Sequence, residues 1–305
     1  MARLFNAYVI VDWSAASKPA TGTDSIWIGV MKRDVRFRFT CESRNPSTRT
    51  EAEAALNTIL TDLKSRGERV LLGFDFPLGY PAGTPAALKL KDESWAGMWE
   101  FLAANLTDKP TNLNTRFAVA NKMNRLMTGE ARPFWGAPPK DVQTWLKAAK
   151  PEHGSDIPAP YRHAEAATHG KSQGGGKSGA KTVWQLFGAG SVGGQAITGI
   201  PVVKRLRTAR GGAFRVWPFE TGWKALTAAD LEGVDVVAAE VYPALIPAPP
   251  APGEVKDQAQ VRALCEHFAK LDETGKLSAA LAPAKAAAPE LIDLVEREEG
   301  WILGL

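Results

Sequence analysis

The stretch VLLGFDFPLGYP, residues 70–81, begins as a buried β-strand and places an aspartate where the apolar run ends. A continuous run of Val, Leu and Phe is typical of a strand that is buried on both faces of a sheet. Pro77, Gly79 and Pro81 stop the strand directly after Asp75. The stretch therefore predicts a central strand that ends in a carboxylate.

Two other predicted strands also reach an acid. Asp12 follows the apolar residues of AYVIVDW (7–13), and Glu240 lies in VDVVAAEVYP (234–243). A buried carboxylate without a partner is costly, so such residues cap a turn, pair with arginine or bind a cation. If the first and fourth strands are neighbours, Asp12 and Asp75 lie side by side, and converging carboxylates favour Mg²⁺ or Mn²⁺. We therefore expect a divalent-cation site, with turn caps or ion pairs as the alternative.

The remaining pattern predicts an α/β protein with the element order β-β-β-α-β, a long insertion, and then β-α. Strands at 25–32 and 35–40 form a hairpin, and Thr50 with Glu53 makes a capping box at the start of a helix. Another helix is expected from about residue 256 to 271. This order predicts a mixed five-stranded sheet with flanking helices. The chain, 1–305, is read as a single domain with a long irregular and helical insertion at about 80–230, between the fourth and fifth strands.

The composition argues against several classes of protein. The chain has 305 residues and 45% hydrophobic content, which supports a large core. No apolar run approaches the roughly 18 to 20 residues of a membrane span, and no secretion signal is evident, so we expect a cytoplasmic protein without a membrane partner. Cys41 and Cys265 are too few and too far apart in sequence for a disulfide framework or a zinc site. Reduced core thiols are expected.

The positive charge is concentrated in residues 166–219, a segment with eight Lys and Arg and no Asp or Glu. Such a segment attracts a phosphate or a polyanion, unless it is simply a solvated surface. Its HGKSQGGGKSGAK stretch (169–181) resembles a phosphate-binding P-loop, but the first glycine, Gly170, is one position away from where that motif requires it. Residues 188–193 match G-x-G-x-x-G, which by itself is only weak evidence for dinucleotide binding. We expect a tight glycine loop that presents Gln185 and backbone N–H groups to the carboxylates.

The order of these motifs resembles the family called domain of unknown function 429, which is regarded as a group of nucleases with the ribonuclease H-like fold. VIVDWSAAS, GFDFPLGYP and AEVYPA carry the resemblance, and GAGSVGGQ, WPFE and the terminal EEGWILG are similar to bacterial proteins, some labelled from cobalamin or molybdopterin cofactor biosynthesis. The family's Asp-rich final helix of the DALDA type is missing here, since the chain ends in residues 277–305 without that motif.

The resemblance implies a nuclease that uses Mg²⁺ or Mn²⁺ to hydrolyse phosphodiester bonds. Asp12 would bridge the ions, Asp75 and Glu240 would complete the ligand set, Asp257 would be the fourth ligand, and Lys256 would neutralise the scissile phosphate. Asp272 and Asp293 are alternatives for the fourth ligand because the expected helix is missing.

The predicted partner is a nucleic acid or a phosphorylated small molecule. The side chains expected to contact it are Ser14, Arg162, Gln185, Lys204, Arg205 and Arg207. Two alternatives to the nuclease remain open: an enzyme for a phosphorylated or cofactor-like small molecule, and a nucleic-acid-binding protein that has lost catalysis.

Overall fold

The computed structural model describes residues 3–36, 38–169 and 179–305. A mixed sheet of six strands forms its centre. The strands are β1 (Ala7–Asp12), β2 (Trp27–Arg33), β3 (Phe39–Arg44), β4 (Val70–Phe74), β5 (Phe214–Val216) and β6 (Val236–Glu240). Their spatial order is β3-β2-β1-β4-β6-β5. Strand β2 is antiparallel to β1 and β3, whereas β1, β4, β6 and β5 run parallel.

The predicted α/β class and mixed sheet are confirmed, but the number of strands is wrong. Strand β5 lies inside the predicted insertion and pairs with β6 through Phe214 and Val236. It has three residues, which is too short to leave a recognisable alternation in the sequence. The hairpin partner β3 also begins four residues later than predicted, at Phe39.

Helices cover both faces of the sheet. They are α1 (Arg49–Ser65), α2 (Thr84–Ala87), α3 (Trp95–Asn105), α4 (Arg116–Thr128), α5 (His163–Thr168), α6 (Gly193–Arg210), α7 (Lys256–Glu273), α8 (Leu277–Ala280) and α9 (Pro289–Leu294). Single tight turns occur at Pro139–Asp141, Gly211–Ala213 and Pro243–Leu245, and a wider turn at Val295–Glu299 continues α9. Across the described ranges, no helix has the length and apolar character needed to cross a bilayer.

The start of α1 shows how the local sequence sets an element. Thr48 is the N-cap, and its hydroxyl accepts the N–H of Glu51 at 3.1 Å. The Glu51 carboxylate in turn accepts the N–H of Ser47 at 2.8 Å. The capping residues therefore precede the predicted Thr50 and Glu53 by two positions, because the chain turns into the helix earlier.

Strand β1 is buried on both sides, which explains its uninterrupted apolar sequence. Val9 and Val11 lie in a core with residues of α1 and α6. Tyr8 and Ile10 face the opposite way, into a core with residues of α7. Since successive side chains of a strand alternate between faces, a strand between two helical layers needs apolar residues at every position.

The C-terminal segment packs against the end of β4 through a glycine. A Cβ on Gly79 would lie 2.4 Å from the carbonyl oxygens of both Glu298 and Glu299. The segment then continues along β6, where the N–H of Leu303 donates to the carbonyl of Glu240 at 2.9 Å. The two motifs GFDFPLGYP and EEGWILG are therefore in direct contact.

Candidate functional site

Two carboxylates meet at the ends of neighbouring parallel strands. Asp12 is the last residue of β1, Asp75 follows β4, and the preceding residues Val11 and Phe74 are paired across the sheet. The two carboxyl groups are hydrogen-bonded to each other. The N–H of Trp13 donates to Oδ1 of Asp75 at 2.8 Å, which fixes that carboxyl group. The structure thus brings these two predicted site residues together.

Both members of the Asp12–Asp75 pair have raised pKa values. Burial raises the pKa of Asp75 to about 7. Burial also raises the pKa of Asp12, with further contributions from the negative charges of Asp75 and Asp257. Two acids this close share a proton near neutral pH, because the second ionisation places like charges side by side. Each keeps part of its surface accessible, so a cation can approach the pair.

Asp257 lies near the pair but is held by the backbone. It is the second residue of α7, and its Oδ2 accepts the N–H of Asp24 at 2.7 Å. Lys256, the first residue of α7, is exposed. Within the ranges that the structure covers, no three His, Cys, Asp or Glu side chains are grouped closely enough to hold one metal ion.

Glu240 is bound by an arginine, which was the alternative to metal binding. Arg162 is fully buried and donates from Nη1 to Oε2 of Glu240 at 2.8 Å and from Nη2 to Oε1 at 2.6 Å. Its Nε donates to Oε1 of Glu165 at 2.8 Å. The guanidinium thus neutralises the charge of Glu240, which is the ion-pair alternative stated for this residue. The role predicted for Arg162 also changes, from phosphate contact to ion-pair partner.

A cavity of about 270 Å³ opens beside these groups, at the carboxyl ends of β4 and β6. Three acids line it: Asp75, Glu165 and Glu240. Lys181 and residues of the loop before α6 also line it, together with Pro77, Gly179, Ala180, Val241, Tyr242 and Ile302. Ligands of open α/β sheets bind at this edge of the sheet, so the cavity is the candidate substrate site.

The loop before α6 needs its glycines for its shape. Gly188 and Gly190 have φ values of +109° and +71°, in the region that other residues rarely adopt. Nε2 of Gln195 donates to the carbonyl of Trp13 and so ties the start of α6 to the end of β1. Gln185 was predicted to face the acids, but its Nε2 donates to the carbonyl of Phe187 at 3.2 Å, within its own loop.

Three residues of the predicted basic segment form ion pairs with other parts of the chain. Lys204 binds Glu100 at 3.0 Å, and both Arg205 and Arg207 bind glutamates at 2.6 Å, Glu53 and Glu220 respectively. These three residues lie in the second half of α6, about 16 Å or more from its first residue, Gly193, at 1.5 Å per residue. They are therefore not part of the site. The GKSQGGGKS stretch, residues 170–178, lies outside the described residues.

The other residues predicted for the site lie at different places relative to the Asp12–Asp75 pair. Ser14 lies two residues after Asp12, and its hydroxyl accepts the N–H of Ala16 at 3.3 Å. Asp272 is at the opposite end of β1, where it accepts the N–H groups of Leu4 and Phe5, each at 2.8 Å. The side chain of Asp293 is 74% exposed. Asp272 is therefore remote from the Asp12–Asp75 pair, and Asp293 lines a different cavity, together with Ala82 and Gly83.

Comparisons of this chain with protein-family models, with curated proteins and with solved structures found no match. Its function is therefore inferred from the site alone.

Proposed function

We propose that this protein is a divalent-metal-dependent phosphodiesterase, a nuclease of the ribonuclease H-like fold. The observation that carries the proposal is the hydrogen-bonded Asp12–Asp75 pair beside a cavity at the sheet edge. The β-β-β-α-β order of the first elements and the parallel pairing of β1 with β4 support the fold. Strand β5 would then be an addition at the edge next to β6.

The two carboxylates fit Mg²⁺ or Mn²⁺ better than a closed metal cage. Magnesium keeps several of its waters and is commonly held by one or two carboxylates together with substrate phosphates. Asp12 and Asp75 supply those carboxylates, and Asp257 is close enough to influence the charge of both. When bound, the ion would supply an activated water and stabilise the leaving oxygen. A cation would also offset the cost of burying these two negative charges, which is the main cause of both raised pKa values.

Other residues of the chain position these groups. The N–H of Trp13 orients Asp75, and Gln195 holds the Trp13 carbonyl, so the end of β1 is fixed from two sides. Lys181 on the cavity wall offers a positive charge to a phosphate group. Arg162 holds Glu165 and Glu240, which line the same cavity, through its ion pairs.

The size of the cavity favours a second candidate, a phosphoesterase for a small molecule. Small-ligand pockets usually measure about 300 to 1,000 Å³, and 270 Å³ is close to the lower limit. A space of this size suits a nucleotide or a phosphorylated cofactor fragment better than a nucleic-acid duplex. The same Asp12–Asp75 pair would serve either substrate.

Hydrolysis assays with purified protein test both candidates. The substrates are single-stranded and duplex DNA and RNA, nucleotides, and a chromogenic phosphodiester, each with Mg²⁺ or Mn²⁺. We expect Asp12→Asn and Asp75→Asn to lose about 100-fold or more of the activity, because the lost electrostatic stabilisation is worth several kcal/mol. Asp293→Asn, which changes an exposed acid, is the matched control and should keep full activity.

The pattern of activity separates the candidates. Cleavage of nucleotides but not of oligonucleotides would favour the small-molecule enzyme. Salt-sensitive binding of nucleic acid without turnover in either metal would favour a binding protein and reject the hydrolase. Full activity in Asp12→Asn would remove the Asp12–Asp75 pair from the mechanism.

A further inference from the structure

Arg116 is a buried arginine that binds no carboxylate among the residues the structure describes. It begins α4, is 7% exposed, and donates from Nη1 to two neutral acceptors, Oγ of Ser17 at 2.9 Å and Oδ1 of Asn114 at 3.0 Å. Its Nε is buried and finds no acceptor in the part of the chain that the structure describes. By contrast, the buried Arg49 and Arg162 each bind carboxylates. A buried, uncompensated guanidinium is costly unless it binds an anion.

The guanidinium remains a cation at neutral pH. Burial and, to a smaller extent, the positive charge of Arg49 together lower the pKa of Arg116 to about 10, against weaker opposing effects of Asp141 and Asp108. The guanidinium carbon lies 4.2 Å from the centre of the Phe117 ring, which stabilises the charge in part. The Asp108 carboxylate is already bound to Arg49 at 2.6 Å. The charge of Arg116 is therefore left for an external partner.

The first turn of α6 also has open hydrogen-bond donors. The N–H of Gly193 donates to the carbonyl of Gln185, and that of Ala196 donates to Val192. Between them, the N–H groups of Gly194 and Gln195 find no acceptor among residues 3–36, 38–169 and 179–305. The first N–H groups of a helix carry the positive end of its dipole, and this helix has 18 residues.

These two sets of donors are adjacent. A Cβ on Gly194 would lie 3.3 Å from Cδ of Arg116 and 3.2 Å from Cβ of Ala15. The stem of Arg116 therefore packs directly on the first turn of α6. Both contact the loop that leaves β1 immediately after Asp12, and Ser17 at the exposed end of this loop binds Arg116.

We propose that Arg116 and the N–H groups of Gly194 and Gln195 form a binding site for a phosphate group of the ligand, with Ser17 at its rim. A guanidinium and helix N–H groups are the donors that phosphate oxygens favour. Among the described residues, Arg116 binds two neutral oxygens through Nη1 and no carboxylate, and the N–H groups of Gly194 and Gln195 have no acceptor. The proposal rests on the proposed function for the identity of the substrate. It adds that the substrate carries a phosphate next to the one that reacts, as an oligonucleotide or a nucleoside diphosphate does.

Phosphate binding is measured without metal and without turnover, using inorganic phosphate as the probe. Titrations in EDTA at constant ionic strength, followed by calorimetry, compare the wild type with Arg116→Gln. We expect the affinity for phosphate to fall about tenfold or more, the effect of one charge-assisted hydrogen bond. Arg205→Gln removes an arginine from the far half of the same helix, and it should leave phosphate binding unchanged.

A measurement on the wild type avoids dependence on the folding of the variant. Saturation with phosphate should shift the amide NMR signals of Gly194 and Gln195 and slow their hydrogen exchange. Unchanged signals at both residues, or equal phosphate affinity in a folded Arg116→Gln variant, would overturn the site. Activity retained in Asp12→Asn would instead reject the proposed function and leave the phosphate site standing, so the two failures are distinguishable.

Discussion

Replacing Asp75 by asparagine should stabilise the metal-free protein at pH 8. In the wild type, burial raises the pKa of Asp75 to about 7, so at pH 8 this buried carboxyl group is ionised beside Asp12. Asparagine keeps a carbonyl oxygen for the N–H of Trp13, which donates at 2.8 Å, and carries no charge. The substitution therefore removes the cost of a buried negative charge without removing the hydrogen bond that orients the side chain.

The magnitude follows from the displacement of the pKa of Asp75 from 3.8 to about 7. At 1.36 kcal/mol per pKa unit, full ionisation costs the folded state about 4 kcal/mol at most. Asp75 keeps part of its surface accessible to water, so we expect about half of this, ~2 kcal/mol, as the gain for Asp75→Asn. A raised pKa contributes stability below the unfolded value near 4, and this stability is lost as the pH rises through 7.

Urea unfolding followed by tryptophan fluorescence, in EDTA between pH 5 and pH 8, measures the effect. The free energy of unfolding of the wild type should fall across this range, while that of Asp75→Asn should change less. Asp293→Asn reports the effect of removing an exposed carboxylate. A variant that is less stable than the wild type at pH 8, or that keeps the same pH slope, would refute this account of the Asp12–Asp75 pair.

The other predictions concern metal binding, close packing and the buried ion pairs. Excess Mn²⁺ should raise the melting temperature of the wild type but not that of Asp12→Asn, because a ligand that binds only the folded state stabilises it; equal shifts in a thermal melt would exclude Asp12 as a ligand. Gly79→Ala should cost about 2 to 3 kcal/mol in urea unfolding, since its Cβ would press on backbone oxygens at 2.4 Å, whereas Gly212→Ala, with open space around it, should be nearly neutral. Arg162→Leu should cost about 3 to 5 kcal/mol because it leaves two buried carboxylates unpaired, while Arg205→Gln at the surface should cost about 1 kcal/mol or less in the same assay; comparable losses would contradict the burial argument.

Local patterns were sufficient for the elements that carry most of the core. Strands β1 and β4 are apolar at nearly every position because helices cover both of their faces, and that composition is visible in the chain. Helices α1 and α7 have apolar stripes of helical period, and Gly67, with a φ of +71°, follows the end of α1 as expected. Strand β5 was not predicted, because three residues are too few to show a periodic pattern. Its pairing with β6 also depends on a distant part of the chain.

In the candidate site, too, the sequence predicted which acids end strands but not which of them are paired. Asp12 and Asp75 were predictable because each ends an apolar strand, and parallel neighbours bring their ends to one edge of a sheet. Glu240 shows the same local pattern, yet Arg162, which lies 78 positions away in sequence, binds its carboxylate. Whether an acid is free or paired depends on long-range contacts, and a strand motif contains no information about them.

The basic segment, residues 166–219, shows most clearly the difference between residue type, which the sequence gives, and charge pairing, which depends on the fold. Its eight Lys and Arg residues are evident in the sequence, but glutamates from α1, α3 and the loop after β5 neutralise three of those in α6. Arg116, which lies outside that segment, is buried without such a partner. Residue type and periodicity follow from the chain itself, because they act over a few neighbouring positions. The partner of each charge depends on folding, because Coulomb interactions act between residues that are close in space, whatever their separation along the chain.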